Sequence, residues 1–150
     1  MSGTAPYPFG PGDVDPLVDP HRIASARRLM LEVHGHAAFD RLSGLAARLV
    51  GAGHAKVTLF AEDDRVVGGF GLPEGVIGGP ALLTGALSAI VVRTATPLNL
   101  SEAAADERVA YLPAVTSGQV RAYLGVPLIA ASGHPVGALA VYDQVRGTGS

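Results

Sequence analysis

The residues able to carry chemistry are few and scattered. The chain has five histidines, His21, His34, His36, His54 and His134, and no cysteine. The lack of cysteine excludes disulfides, thiolate zinc sites, iron–sulfur clusters and thiol nucleophiles. His34 and His36 stand two apart, which points them away from each other on a helix. These histidines read as solvated or capping groups, and no metal site is assigned. Glu62, Asp63 and Asp64 are adjacent carboxylates, and a solvated turn accounts for them better than acid–base work. Asp106-Glu107-Arg108 reads either as a surface charge cluster or as a buried ion pair tying its segment to a sheet. The glycines at 68, 69, 71, 75, 78 and 79 fit neither a phosphate loop nor a dinucleotide turn, so they read as loop mobility. Ser88 and Thr94 can hydrogen-bond a ligand or their own backbone. No catalytic residue is assigned, and the expectation is that the protein is not an enzyme.

The composition narrows the class further. The chain has 150 residues, 48% of them hydrophobic and 16% charged, which suits one folded domain. The formal net charge is −2, so there is no basic field for a phosphate backbone and no nucleic-acid partner is expected. Lys56 is the only lysine. The first residues lack a basic segment followed by an apolar one, so no signal peptide is read. Gly75–Val92 and Ala122–Tyr142 are uncharged and long, but Pro80 and the turn Ala-Ser-Gly-His-Pro break them, so no membrane span is expected. A cytoplasmic location follows as an expectation.

Positioning these groups falls to elements that the periodicity outlines. Residues 1–15 read as a flexible arm. Asp19-Pro20 reads as an N-cap followed by proline in the first helical position. Ile23, Ala26, Met30 and Val33 then place a helix to about Val33. A second helix begins near Ala37, with Phe39, Leu42, Leu45, Ala46 and Leu49 on one stripe. Lys56–Ala61 alternates, with Val57 and Leu59 on one face and Thr58 and Phe60 on the other. Arg65–Phe70 pairs with it as a hairpin. Leu83, Leu87, Ile90 and Val91 recur at helical spacing. Leu98–Leu100 is a short extended piece, and Ser101 is expected to cap a helix that runs to about Leu112 and stops at Pro113. Arg121–Ala130 and Val136–Tyr142 form a second hairpin. Pro127 belongs where no ladder donor is needed, and Gly133 supplies the turn. Two helices, a hairpin, an irregular crossover and a second hairpin define an α+β fold with an antiparallel sheet.

The ordered segments resemble the GAF domain, a small-molecule sensor module of bacterial signalling proteins. The resemblance runs from about Asp15 to Asp143. It rests on Ala37–Leu42 with Leu45–Leu49, on Val57–Phe60 with Glu62–Arg65, on Thr96–Ala103 and on Asp106-Glu107-Arg108. Its most specific part is Val120–Leu128 followed by Ser132–Leu139 and Val141-Tyr142-Asp143. The resemblance implies a GAF-like central antiparallel β-sheet with the N-terminal helices on one face. A helical and loop crossover, about Pro80–Gly118, would roof a pocket on the other. The expected organisation is an arm over 1–15, a sensor domain over 16–143 and a flexible tail over 144–150. Family members normally continue into a C-terminal helix for which residues 144–150 are too short and Gly-rich. The chain is therefore expected to be either a trimmed piece of a larger protein or a minimal version.

Cofactors of related modules are disfavoured by the residues present. The roof holds neither His nor Cys, so a His-ligated haem or a covalent bilin lacks an anchor there. Asp143 and Gln144 stand where cyclic-nucleotide binders carry Asn-Lys, which disfavours a cyclic nucleotide. Free methionine sulfoxide reduction in this family works through Cys and is excluded for a chain without it. Strand parity and the crossover place Thr58, Phe60, Phe70, Ser88, Tyr111, Arg121 and Tyr123 as candidate pocket residues, with apolar walls and a few polar groups. The competing reading is that Phe60, Phe70, Ile90, Tyr111 and Tyr123 only fill a core. The expected function is a non-catalytic sensory or regulatory domain. It would bind an unknown small ligand or a partner domain and signal to an output module in cis or trans. The alternative is a ligand-free dimerisation or scaffold module, with a homodimer as its partner arrangement.

Overall fold

The computed structural model describes residues 15–33 and 37–145. The expectations for residues 1–14, for His34 and His36 and for residues 146–150 lie outside the described residues. Asp15, assigned to the arm, is instead bound in: its carboxylate accepts from the Leu17 amide and caps a 3-10 turn, Pro16–Val18. Helix α1 is Pro20–Glu32, opened by Asp19, whose side chain accepts from the His21 amide with proline in the first turn. Helix α2 is Ala37–Val50.

Five strands follow: β1 His54–Phe60, β2 Asp64–Phe70, β3 Leu98–Leu100, β4 Ala122–Ile129 and β5 Pro135–Asp143. They form one sheet in the order β2-β1-β5-β4-β3, every neighbouring pair antiparallel. Both hairpins form as the alternation predicts. Pro127 lies on β4 beyond the three residues that β3 covers, where the strand has a neighbour on one side only. Gly133 takes φ +88° in the β4–β5 turn.

Helices α1 and α2 cover one face of the sheet, where Val57, Leu59 and Val67 pack against Leu29, Met30, Val33 and Phe39. The crossover covers the other. It contains a 3-10 turn Leu82–Thr84 that runs into α3, Gly85–Thr94, then β3 and α4, Pro113–Thr116. Leu87, Ile90 and Val91 of α3 join Leu98, Leu100, Val109, Val120, Tyr123, Ala138 and Ala140 in the largest apolar cluster. Burial of this set is the main cohesive term between roof and sheet.

Two expectations about the elements fail. No helix spans 101–112: Ala103–Ala105 is a 3-10 turn, further turns follow, and Pro113 opens α4 instead of ending a helix. Proline in a first helical position loses no hydrogen bond, so it starts a helix as readily as it stops one. The leucine stripe of α2 is also not its buried face. Ser43, Gly44 and Ala47 are buried there, while Leu42, Leu45 and Leu49 are exposed. Small residues let the helix lie close to β1 and β2, and the leucines stand outward.

Arg22 locks α1 to the sheet. Its guanidinium, 1% exposed, donates to the carbonyls of Pro16 at 2.7 Å, Phe60 at 2.6 Å, Pro135 at 3.2 Å and Leu17 at 3.3 Å. A planar fork with five donors can serve carbonyls from several directions at once.

Candidate functional site

The roof-facing side of the sheet has a row of small residues around one charge. Reading across the strands, Gly69, Lys56, Ala140, Gly125 and Leu98 are in register. The row forms a trough under α3 that side chains from neighbouring rows fill. A Cβ on Gly125 would fall 2.6 Å from the Tyr123 hydroxyl, so the tyrosine ring lies flat over that glycine. A Cβ on Gly69 would meet Leu72 in the same way. The Tyr123 hydroxyl reaches Ser88 on α3, with the two oxygens 2.9 Å apart.

Lys56 fills the centre of the trough. Its Nζ donates to Oγ1 of Thr84, and that hydroxyl donates in turn to the Ala81 carbonyl at 3.0 Å. Burial pushes the Lys56 ammonium down to about 7, with Asp64 pulling the other way. Asp64 opens β2 beside the start of α3, where it accepts from the Ala81 amide at 3.4 Å. One pair along β1 from Lys56 is Thr58, whose Oγ1 is fully buried and has no hydrogen-bond partner. Burial also raises the Tyr123 phenol well above its ordinary value and pushes Tyr142 up to about 12.

The structure thus brings together Thr58, Ser88 and Tyr123 of the expected pocket, and Phe60 is buried on the same strand. It separates the other three. Phe70 pairs with Ala55 and lies against Gly44 of α2, on the helical face. The cause is a shift in register between Val57 and Thr58, which changes the parity of β2 along its length. Tyr111 is 64% exposed, because the helix expected to turn it inward does not form. Arg121 sits just before β4, donating to Glu102 at 2.8 Å, with Asp143 at 4.0 Å. That pair ties the crossover to the sheet. Asp106 instead bonds Arg108 locally, at 2.7 Å. Thr94 bonds its own helix at the Ile90 carbonyl.

Lys56 and Thr84 complete the cluster and were not among the expected residues. The signal for Lys56 was present: the chain's one lysine falls on the same strand face as Thr58 and Phe60. Among the described residues no group of His, Asp and Glu is arranged to hold a metal ion, and no helix is long and apolar enough to cross a membrane. His54 Nδ1 lies 2.8 Å from the Gly71 carbonyl and its ring stacks on Tyr142, while His134 lies beside Ser25 and Ser132.

Two open grooves flank other parts of the sheet. One of about 280 Å³ lies at the ends of β3, β4 and β5, lined by residues including Asn99, Tyr123 and Tyr142. Another of about 230 Å³ is almost wholly apolar, between Ala46, Leu49 and Val50 of α2 and Leu124, Val126, Leu139 and Val141 of the sheet.

An antiparallel sheet backed by two helices and roofed by an irregular crossover defines one class of α+β domain. The chain belongs to the GAF domain family, whose model matches residues 21–149. Solved structures agree in fold. The GAF domain of an Acinetobacter phosphoenolpyruvate-protein phosphotransferase is 22% identical with a TM-score of 0.60, over 85% of this chain and 80% of that one. The corresponding domain from Coxiella burnetii is 16% identical with a TM-score of 0.59, over 83% and 78%. A free methionine-R-sulfoxide reductase from Neisseria meningitidis, solved with its substrate, is 12% identical with a TM-score of 0.55, over 93% and 80%. A search of curated proteins finds no significant match.

Proposed function

We propose that the chain is a non-catalytic GAF-type sensory domain that takes a small ligand between the sheet and the α3 roof. It passes occupancy to α1, and from there to an output module in cis or trans. The observation that carries this reading is a polar cluster enclosed by an apolar roof that is physically joined to the helical layer. Lys56, Thr58, Thr84, Ser88 and Tyr123 are each at most 3% exposed. The junction is Arg93 of α3, which pairs with Asp15 at 3.1 Å, and Asp15 caps the 3-10 turn that leads into α1. A roof that shifts on binding therefore pulls on the start of α1, so a ligand favouring one roof position biases both elements. The absence of cysteine supports a role without the thiol chemistry of the reductase relatives. A cytoplasmic location and the lack of a nucleic-acid partner belong to this proposal, supported by the net charge of −2.

Thermal-shift screening of the intact chain against a metabolite panel, followed by crystallography of any hit, tests the proposal. Ligand density between β1, β4 and α3 is the expected result. A panel without hits, or a ligand seated only in an outer groove, contradicts it.

A second reading is that the chain also self-associates. It is favoured by the exposed Leu42, Leu45, Leu49 and Val50 beside the apolar groove on the helical face.

A further inference from the structure

We propose that Lys56, with Thr58, Thr84 and Ser88, is a seat for the carboxylate group of the ligand, reached when the α3 roof lifts. This rests on the sensory reading above and names the ligand's chemical class. The donors here outnumber their acceptors. An ammonium carries three donors, and Lys56 spends one on Thr84 while forming no ion pair with a described carboxylate. Two residues along the same strand face, the Thr58 hydroxyl is buried with no partner at all. Ser88 is one helical turn beyond Thr84 and holds a hydroxyl pair with Tyr123 that can rotate to donate. A buried charge and a buried orphan hydroxyl side by side are costly unless an acceptor completes them. A carboxylate supplies two acceptor oxygens and the opposite charge. Gly69, Ala140 and Gly125 flank Lys56 in register, with Leu72 over Gly69 and the Tyr123 ring over Gly125, so a carboxylate enters only as the roof lifts.

Backbone strain flanks the roof. Among the described residues only Leu82 and Ala95 are non-glycines at positive φ, at +52° and +51°. One opens the 3-10 turn that runs into α3 and the other is the C-cap of α3, so strain lies on both sides of the element that closes the seat. Leu82 is also 73% exposed, so packing does little to hold that residue.

The titratable group that acts on Lys56 is Asp64 of β2; Tyr123 and Tyr142 lie on the same face of the sheet, and α3 and the preceding turn present the hydroxyls of Ser88 and Thr84. A bound carboxylate favours the ammonium, so binding takes up a proton above neutrality and affinity falls as pH rises from 7 to 9. The test is thermal shift and titration calorimetry of the full chain with sodium formate and sodium acetate, against sodium chloride at equal ionic strength. The proposal expects saturable stabilisation by formate or acetate, with proton uptake at pH 8. Lys56→Met abolishes that stabilisation and still folds, because it removes a buried charge without removing volume. Thr58→Val weakens binding several-fold and leaves the unliganded protein at least as stable. No saturable effect over chloride, or an effect that survives in Lys56→Met, overturns the proposal. An uncharged metabolite found under the roof would overturn this inference alone and leave the sensory reading standing. A panel with no hit of any kind would remove both.

Discussion

At the residue scale the protein is organised around a lysine where a sheet would ordinarily put an aliphatic side chain. Its cost has a pH signature. The folded-state Lys56 is held near 7 against an ordinary 10.5. Between those values the unfolded chain binds more protons than the folded one, so stability rises with pH at up to about 1.4 kcal/mol per unit. The penalty is fully present below 7 and gone above 10.5. Tyr123 and Tyr142 act the other way, because their folded-state values are raised. The unfolded chain loses those protons near pH 10 while the fold keeps them, so stability turns down above that pH. Urea unfolding is expected to show a midpoint climbing from pH 7 to 9. In Lys56→Met the climb is absent and stability at pH 7 is about 1–3 kcal/mol higher. An equal slope in both proteins would contradict this assignment. The sequence showed the strand face of Lys56 but not its burial, since that depends on α3 and the Leu82–Thr84 turn closing over it from 28 positions away.

At the element scale, α1 is tied to the molecule less by its apolar stripe than by Arg22. Replacing Arg22 with Met strands the carbonyls of Phe60 and Pro135 and is expected to cost about 2–4 kcal/mol in chemical denaturation. Lysine restores the charge but not the fork, so Arg22→Lys recovers only part of the loss. Full recovery with lysine would mean that charge alone matters. Alternation made both hairpins legible, because a strand with one face on each layer writes its period directly into the chain. The crossover was less legible. Residues 101–112 form turns held by local bonds such as Asp106 to the Arg108 amide, which leave no periodic trace. Phe70 turns to the helical face because one register shift reverses strand parity; Gly68 and Gly69 permit a bulge in β2 but do not fix its position.

At the scale of the whole molecule, two surfaces with different chemistry emerge. The roofed face is closed by an apolar cluster that encloses a few polar groups. The helical face leaves Leu45 and Leu49 at 52% and 78% exposed, next to an apolar groove along β4 and β5. Self-association through this face predicts a concentration-dependent dimer in sedimentation velocity. Leu45→Glu with Leu49→Glu is expected to return it to monomer while changing monomer stability by less than about 0.5 kcal/mol each, as surface positions do. A wild-type chain that stays monomeric at high concentration removes the dimer reading. The leucines were visible in the sequence as an apolar stripe, but the stripe alone did not reveal that Gly44 and Ala47 take the sheet-facing side.

The central claim is that α3 is a separately movable roof over an enclosed polar seat. Native-state hydrogen exchange across low denaturant measures this directly. The amides of Leu87–Arg93 are expected to exchange together through an opening well below the free energy of global unfolding, while those of β1 and β5 exchange only with it. If the α3 amides are protected to the same level as the central strands, the roof does not open on its own and the account fails.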